Sequence, residues 1–238
     1  MTEIKRRKHG FGYTQKWFAR RATSRDALRF VAYLQFQGNR PLGPFVRRSF
    51  STVLIDLGRE PDAIMADMQK NVRYKIRRAE NDDLSWEAGV DEREFLGFHE
   101  AFAKDKGIEG VELSRIRSLG SALHITRVRR NGQVLVQHAY LVDGEEGRSR
   151  QLFSATGRFE NTDSALIGRA NRWCHWKDML YFKDLGVTTF DLGGIKPDTH
   201  DRTIEGINEF KQGFGGKLVC EDHWLSPLYA LAGALRLR

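Results

Sequence analysis

Cysteine is scarce: Cys174 and Cys220 stand alone in 238 residues and lie far apart. They form no disulfide framework and no thiol metal motif, so two ordinary thiols in a reducing, cytoplasmic setting are expected. No histidine pair has the HxxxH spacing, and metal catalysis is not expected. Proline is also rare, at five residues, so the loops should be short. There is no apolar run of about 18 residues or more, which excludes a membrane-spanning helix. The opening residues MTEIKRRKHG are too charged for a signal peptide, and no apolar stretch follows them. Internal repeats and low-complexity tracts are absent.

Acidic residues are nearly missing from one end. Residues 1–50 hold 12 Lys or Arg against 2 Asp or Glu, a balance of +10 that leaves −2 for the rest of the net +8. This predicts a basic arm over residues 1–49 joined to a near-neutral body over residues 50–238. A basic arm suits a polyanion: RNA, an anionic membrane surface in peripheral contact, or a phosphorylated lipid. The alternative is that the charge serves only solubility.

The body begins with FSTVLIDL, residues 50–57, a β-branched strand. GREPD breaks it, and Asp62 can cap one helix reading AIMADMQKNVRYKIRRAEN. Ile64, Met68, Val72 and Ile76 recur every four residues and line an apolar face. A short strand (LSWEAG), an amphipathic helix with Phe95, Phe98 and Phe102 on one side, and a helical extension follow. Three strands come next, the first two joined at Asn131-Gly132, a strong hairpin signal. Residues 161–186 read as the longest helix, capped by Thr162 or Asp163 and ended by Gly186. The chain closes with the strand VTTFDLGG, the helix of GINEFKQGFGG, the strand KLVCEDHWL and a short terminal helix. A three-stranded meander followed by an αβα run predicts an α/β (α+β) domain with a central mixed sheet flanked by helices.

Several residues invite a chemical reading. Lys211 sits between Phe210 and Phe214, just before Gly213, Gly215 and Gly216. It is either a substrate-facing cation or a surface lysine lying over two aromatic rings. Asp191 ends an apolar strand beside Gly193 and Gly194, as a site acid or as the partner of a nearby cation. His138 shares a strand face with Val136 and Tyr140, as a site residue or a core histidine. Ser154 and Thr156 can donate hydrogen bonds from a strand end. Arg73, Arg77 and Arg78 suit phosphate oxygens, and Tyr74 can stack on a base; a solvated basic face with an inward tyrosine is the alternative. Glu87 and Asp105 are possible bases. His124, His175, His200 and His223 are weaker candidates.

Three stretches together resemble the Fem family of aminoacyltransferases, which use a GNAT-like fold. They are VLIDLGREPDAIMADMQKNVRYKIRRAEND, FDLGGI and GINEFKQGFGGKLVCEDHWLSPLYAL, spanning roughly residues 53–231. The resemblance implies a single GNAT-like acyltransferase domain, a stand-alone relative without a second such half. It implies transfer of an amino acid from aminoacyl-tRNA to an amine-bearing peptide or small-molecule acceptor, with no further cofactor. It places Lys211 near the reacting ester or the substrate phosphates, and His138 on a strand where GNAT enzymes bind or deprotonate substrate. Acetyltransferases of this fold instead hold acyl-CoA on a glycine-rich loop at a helix start. The corresponding SATGRFENTDSALIG lacks that pattern and puts an acid in the cap. An acyl-CoA-dependent N-acyltransferase is thus the second expectation. A non-catalytic RNA- or membrane-binding module is the third.

Overall fold

The structure is a computed structural model that describes residues 1–8, 10–39, 43–157 and 163–234. Its strands are β1 (Thr2–Lys8), β2 (Phe11–Trp17), β3 (Val31–Phe36), β4 (Val46–Asp56), β5 (Leu84–Ala88), β6 (Leu123–Arg130), β7 (Gln133–Asp143), β8 (Arg148–Thr156), β9 (Thr189–Ile195) and β10 (Lys217–Leu225). Its helices are α1 (Pro61–Asp67), α2 (Lys70–Ala79), α3 (Glu92–Lys106), α4 (Leu113–Arg117), α5 (Ser164–Asp184), α6 (Arg202–Gln212) and α7 (Pro227–Ala234). Among the described residues no helix is long and apolar enough to cross a membrane.

The chain forms two compact units. The first holds residues 1–52, 194–197 and those from 218 on; the second holds residues 53–193 and 198–217. In the first unit β1 and β2 pair antiparallel, with Thr2 opposite Trp17 and Lys8 opposite Phe11. Strand β2 runs parallel to β3, and β3 pairs antiparallel with β10. Val31, Tyr33, Phe36, Phe45 and Trp224 form the core of this unit. The expected arm is therefore largely sheet. The alternation in TEIKRRK was hidden because Ile4 is its one buried apolar side chain and Lys or Arg fills most other positions.

The second unit carries the expected mixed sheet, in the order β9-β8-β7-β6-β5. Strands β5 to β8 are antiparallel neighbours, and β8 pairs with β9 in parallel. Asn131 and Gly132 both have positive φ at the β6–β7 turn, as the hairpin signal requires. Alternation along β7 sorts the two faces. Val136 packs with Leu166, Ala170 and Cys174 of α5. Ala139 packs with Phe95 of α3 and Ile116 of α4 on the opposite side. Helices thus cover both faces.

Two local expectations need correction. The helix read through Met68 is two helices, because Met68 and Gln69 are extended, at ψ 150° and 147°. Met68 is buried there and the Gln69 amide bonds the Gly213 carbonyl at 2.9 Å. Asp62 does not cap α1; Glu60 holds that position and Pro61 starts the helix. Asp163 does cap α5, donated to by the Ala165 amide at 2.8 Å. Thr162 lies outside the described residues.

The glycines after Lys211 have a packing cause. A β-carbon on Gly215 would stand 2.3 Å from the Asp67 carbonyl oxygen, and its φ is +76°. One on Gly216 would meet Val53 Cγ1 at 2.6 Å and the Leu54 carbonyl oxygen at 2.8 Å. Only glycine lets α6 turn this tightly into the next strand.

Candidate active site

The site lies in the second unit, where β8 and β9 part. Their pairing covers three residue pairs, from Arg148–Thr189 to Arg150–Asp191. Strand β8 then runs on to Thr156. The register puts Arg148, Arg150 and Asp191 on one face. Asp191 is fully buried and accepts from Arg148 Nη2 at 2.5 Å. Arg150 Nε stands 3.9 Å from the same oxygen. The other Asp191 oxygen accepts from the Gly193 amide at 2.8 Å. Asp191 is thus a buried anchor for two arginines and a glycine turn rather than an accessible acid.

Lys211, in the last turn of α6, reaches this turn. Its Nζ lies 3.6 Å from where a β-carbon on Gly193 would stand. Gly193 has φ +78°, and the same β-carbon would meet the Gln151 carbonyl oxygen at 2.9 Å. Burial pushes the Lys211 pKa down to about 8; Arg150 adds to the fall and Asp191 opposes it. Gly194 belongs to the first unit, where a β-carbon on it would stand 2.8 Å from the Phe50 ring.

Helix α5 adds a further cation. The Arg172 guanidinium lies 4.8 Å over the Phe210 ring and donates to the Gly168 carbonyl. Its Nε is buried with no hydrogen-bond partner among the described residues, and burial lowers its pKa. Its charge is the main cause of a lowered pKa at Lys75. Cations from α2, α5, α6 and β8 therefore share this region.

A bulge in β8 supplies the adjoining wall. The β7–β8 register shifts so that Ala139 faces Phe153 and Tyr140 faces Gln151. The Gln151 amide nitrogen then meets His175 Nε2 at 3.1 Å. His175 Nδ1–H donates to the Asn171 carbonyl at 2.8 Å, leaving Nε2 as the acceptor. The ring packs on Phe210 and Phe214, and burial holds its pKa well below the usual value, with His138 and Lys211 adding to the fall. His175 is neutral.

His138 belongs to the core behind this wall. Its Nδ1–H donates to Asp178 at 2.7 Å, and Nε2 faces Asn171 Oδ1 at 2.9 Å. Asp178 also accepts from Tyr140 Oη at 2.7 Å and Trp86 Nε1 at 2.8 Å. His138 and Asp178 are fully buried. His138, Cys174 and Asp178 have candidate metal-ligand atoms within 4.8 Å of one another. Both Asp178 oxygens are already engaged, and burial pushes the Cys174 thiol pKa well up, so this donor set suits a hydrogen-bonded core better than an ion.

The remaining candidates divide. Ser154 faces His138 and Thr156 faces Val136 across the sheet, both on β8 beyond its parting from β9. Arg73 turns back to donate to the carbonyls of Ala66, at 2.9 Å, and Met68. It closes the end of α1 and does not act beside Arg77. Arg78 donates to the exposed Tyr74 hydroxyl at 3.2 Å, and Arg77 is exposed. Tyr74 therefore does not pack inward. Glu87 is held by Arg127 and by Arg129, the latter at 3.0 Å; the Arg127 hydrogen bond lowers its pKa and so weakens it as a base.

Comparison with solved structures shows the fold. FemX superposes with a TM-score of 0.63 at 13% identity, covering 78% of this chain and 63% of FemX. A C-terminal domain from Agrobacterium fabrum, described as that of a lysylphosphatidylglycerol synthetase, gives a TM-score of 0.56 at 15% identity, over 90% of this chain and 73% of that one. The L-PGS structure from Bacillus licheniformis gives 0.53 at 11% identity, over 81% and 66%. The chain thus has a Fem-like fold and spans less than two thirds of FemX. No family model and no curated protein matches the sequence.

Proposed function

We propose that the chain is an acyltransferase that moves an amino acid from aminoacyl-tRNA to an amine acceptor. The observation that carries this reading is Lys211, half-buried at the Gly193 turn where β8 and β9 part. The likeness to FemX and to two proteins named for lysylphosphatidylglycerol synthesis supports the reaction class.

The acceptor nitrogen attacks the ester carbonyl carbon, and a C–N bond forms. Negative charge develops on the carbonyl oxygen. The C–O bond to the ribose then breaks, the ribose oxygen takes a proton and the acceptor nitrogen loses one. With a pKa near 8, Lys211 is mostly charged at neutral pH. It can stabilise the oxyanion or hand a proton to the leaving ribose oxygen. Arg150, Arg172 and Lys75 supply the positive field for the terminal nucleotide of the donor.

The test follows label from tRNAs charged with radioactive amino acids to a panel of amines and dipeptides, with labelled acetyl-CoA in parallel. Transfer from an aminoacyl-tRNA, lost in Lys211→Ala, is expected. Transfer from acetyl-CoA alone would assign an ordinary N-acyltransferase instead. Tight tRNA binding with no transfer, unaffected by Lys211→Ala, would favour the non-catalytic module.

A further inference from the structure

The first unit exposes apolar side chains that its own fold does not use. Leu28, at the end of a short 3-10 turn (Ser24–Leu28), is 81% exposed. Leu231 of α7 is 57% exposed, Leu228 is 38% exposed and Phe11 at the β1–β2 end is 44% exposed. Leu231 stands three residues after Leu228 on α7 and shares its helix face. Leu28, Phe30 and Leu228 line the same cavity, of about 480 Å3, and the Phe11 and Phe30 rings lie 6.2 Å apart. Helix α7 is seated beside the 3-10 turn by Ser226, whose hydroxyl donates to the Arg29 carbonyl at 2.5 Å and accepts from the Tyr229 amide.

The rim of this patch is basic. Lys5 and Arg29 line the cavity, and Arg25 precedes Leu28 on the same turn. All three are exposed. The acids nearby are already engaged: Asp26 is buried against Lys16 at 2.7 Å and the Tyr33 hydroxyl at 2.5 Å, and Glu3 lies between Lys5 and Lys16. The rim therefore keeps its positive sign. Phe11 and Phe30 could carry a stacked base, but Leu28, Leu228 and Leu231 have no ring to offer one. Protruding leucines inside a ring of Lys and Arg suit acyl chains beneath anionic headgroups.

We propose that this face, with Leu28 and Leu231 as its apolar points, docks the protein on an anionic lipid bilayer. The leucines enter the headgroup–acyl boundary, while Lys5, Arg25 and Arg29 meet lipid phosphates. The inference is independent of the transfer reaction, since all its residues belong to the first unit.

The experiment is co-sedimentation of the full chain with phosphatidylcholine vesicles, with and without phosphatidylglycerol, alongside binding to a tRNA mixture. The wild-type chain is expected to pellet with the phosphatidylglycerol vesicles and less well as salt rises. The Leu28→Ser/Leu231→Ser double variant keeps every charge and changes exposed side chains only; an unchanged melting temperature confirms its fold. Its vesicle affinity should fall about tenfold or more, from the lost apolar insertion, with tRNA binding unchanged. Lys5→Glu/Arg29→Glu should also release the vesicles. Equal vesicle binding by the wild-type and the double leucine variant would overturn the proposal, as would failure of the wild-type to bind phosphatidylglycerol. Loss of tRNA binding in the leucine variant would reassign the face to RNA.

Discussion

The Lys211 ammonium sits 3.6 Å from the place where any side chain on Gly193 would begin. The lysine therefore approaches a backbone turn that stays bare. Gly193→Ala would crowd both the Gln151 carbonyl oxygen and Lys211, at a φ that disfavours alanine. It should cost about 1–3 kcal/mol in urea denaturation. It should also lower activity more than its stability loss explains, because Lys211 is displaced.

Lys211 itself should weaken the fold below pH 8. Its folded pKa, about 8, lies under the ordinary lysine value of 10.5. Between these values the unfolded chain binds more protons, so stability contributed at this residue rises with pH across that window. Lys211→Met should therefore be the more stable protein at pH 7, by up to about 3 kcal/mol. The advantage should shrink towards pH 10.5. Paired denaturation curves across that range check it; a pH-independent difference would count against a buried charged lysine.

Asp191 was readable as an acid at a strand end, but its role follows from Arg148. The pair is buried and 2.5 Å apart. Asp191→Ala takes away the charged partner of Arg148 and should destabilise by about 3–5 kcal/mol. It should also move the Lys211 pKa further down, because Asp191 is the group that raises it. An activity loss with normal stability would instead make Asp191 a direct participant.

Acid should loosen the site wall. His99, His124 and His175 all have pKa values lowered chiefly by burial. The unfolded chain takes up protons near pH 6.5 while the folded chain resists, so stability falls as pH drops through 6.5. His175→Gln should make that fall shallower, as measured by melting temperature between pH 7 and 5. An unchanged slope would place the titration elsewhere.

Much of the second unit was legible because its signals are local. The Asn131-Gly132 hairpin and the Asp163 cap each depend on a few neighbouring residues. Lys211 stands out in the sequence through its aromatic flanks and the family resemblance. Arg148, Arg150, Gln151 and Arg172 were missed, although Arg148 and Arg150 stand two apart on a strand and so share a face. Their meaning depends on the parallel pairing with β9 and on the β8 bulge, which no short stretch encodes. The break at Met68 was invisible for the same reason, since the partner of Gln69 is Gly213, far along the chain. Strand β1 is obscured by its own charge, since Lys and Arg fill four of its seven positions.

The most direct test of the central claim is single-turnover transfer from a charged tRNA, comparing wild-type with Lys211→Ala at equal folded concentration. Loss of one buried donor to the developing oxyanion predicts a fall of about 100-fold or more, with charged-tRNA affinity nearly unchanged. Equal rates in the two proteins would contradict a catalytic Lys211, and with it the site proposed at the Gly193 turn.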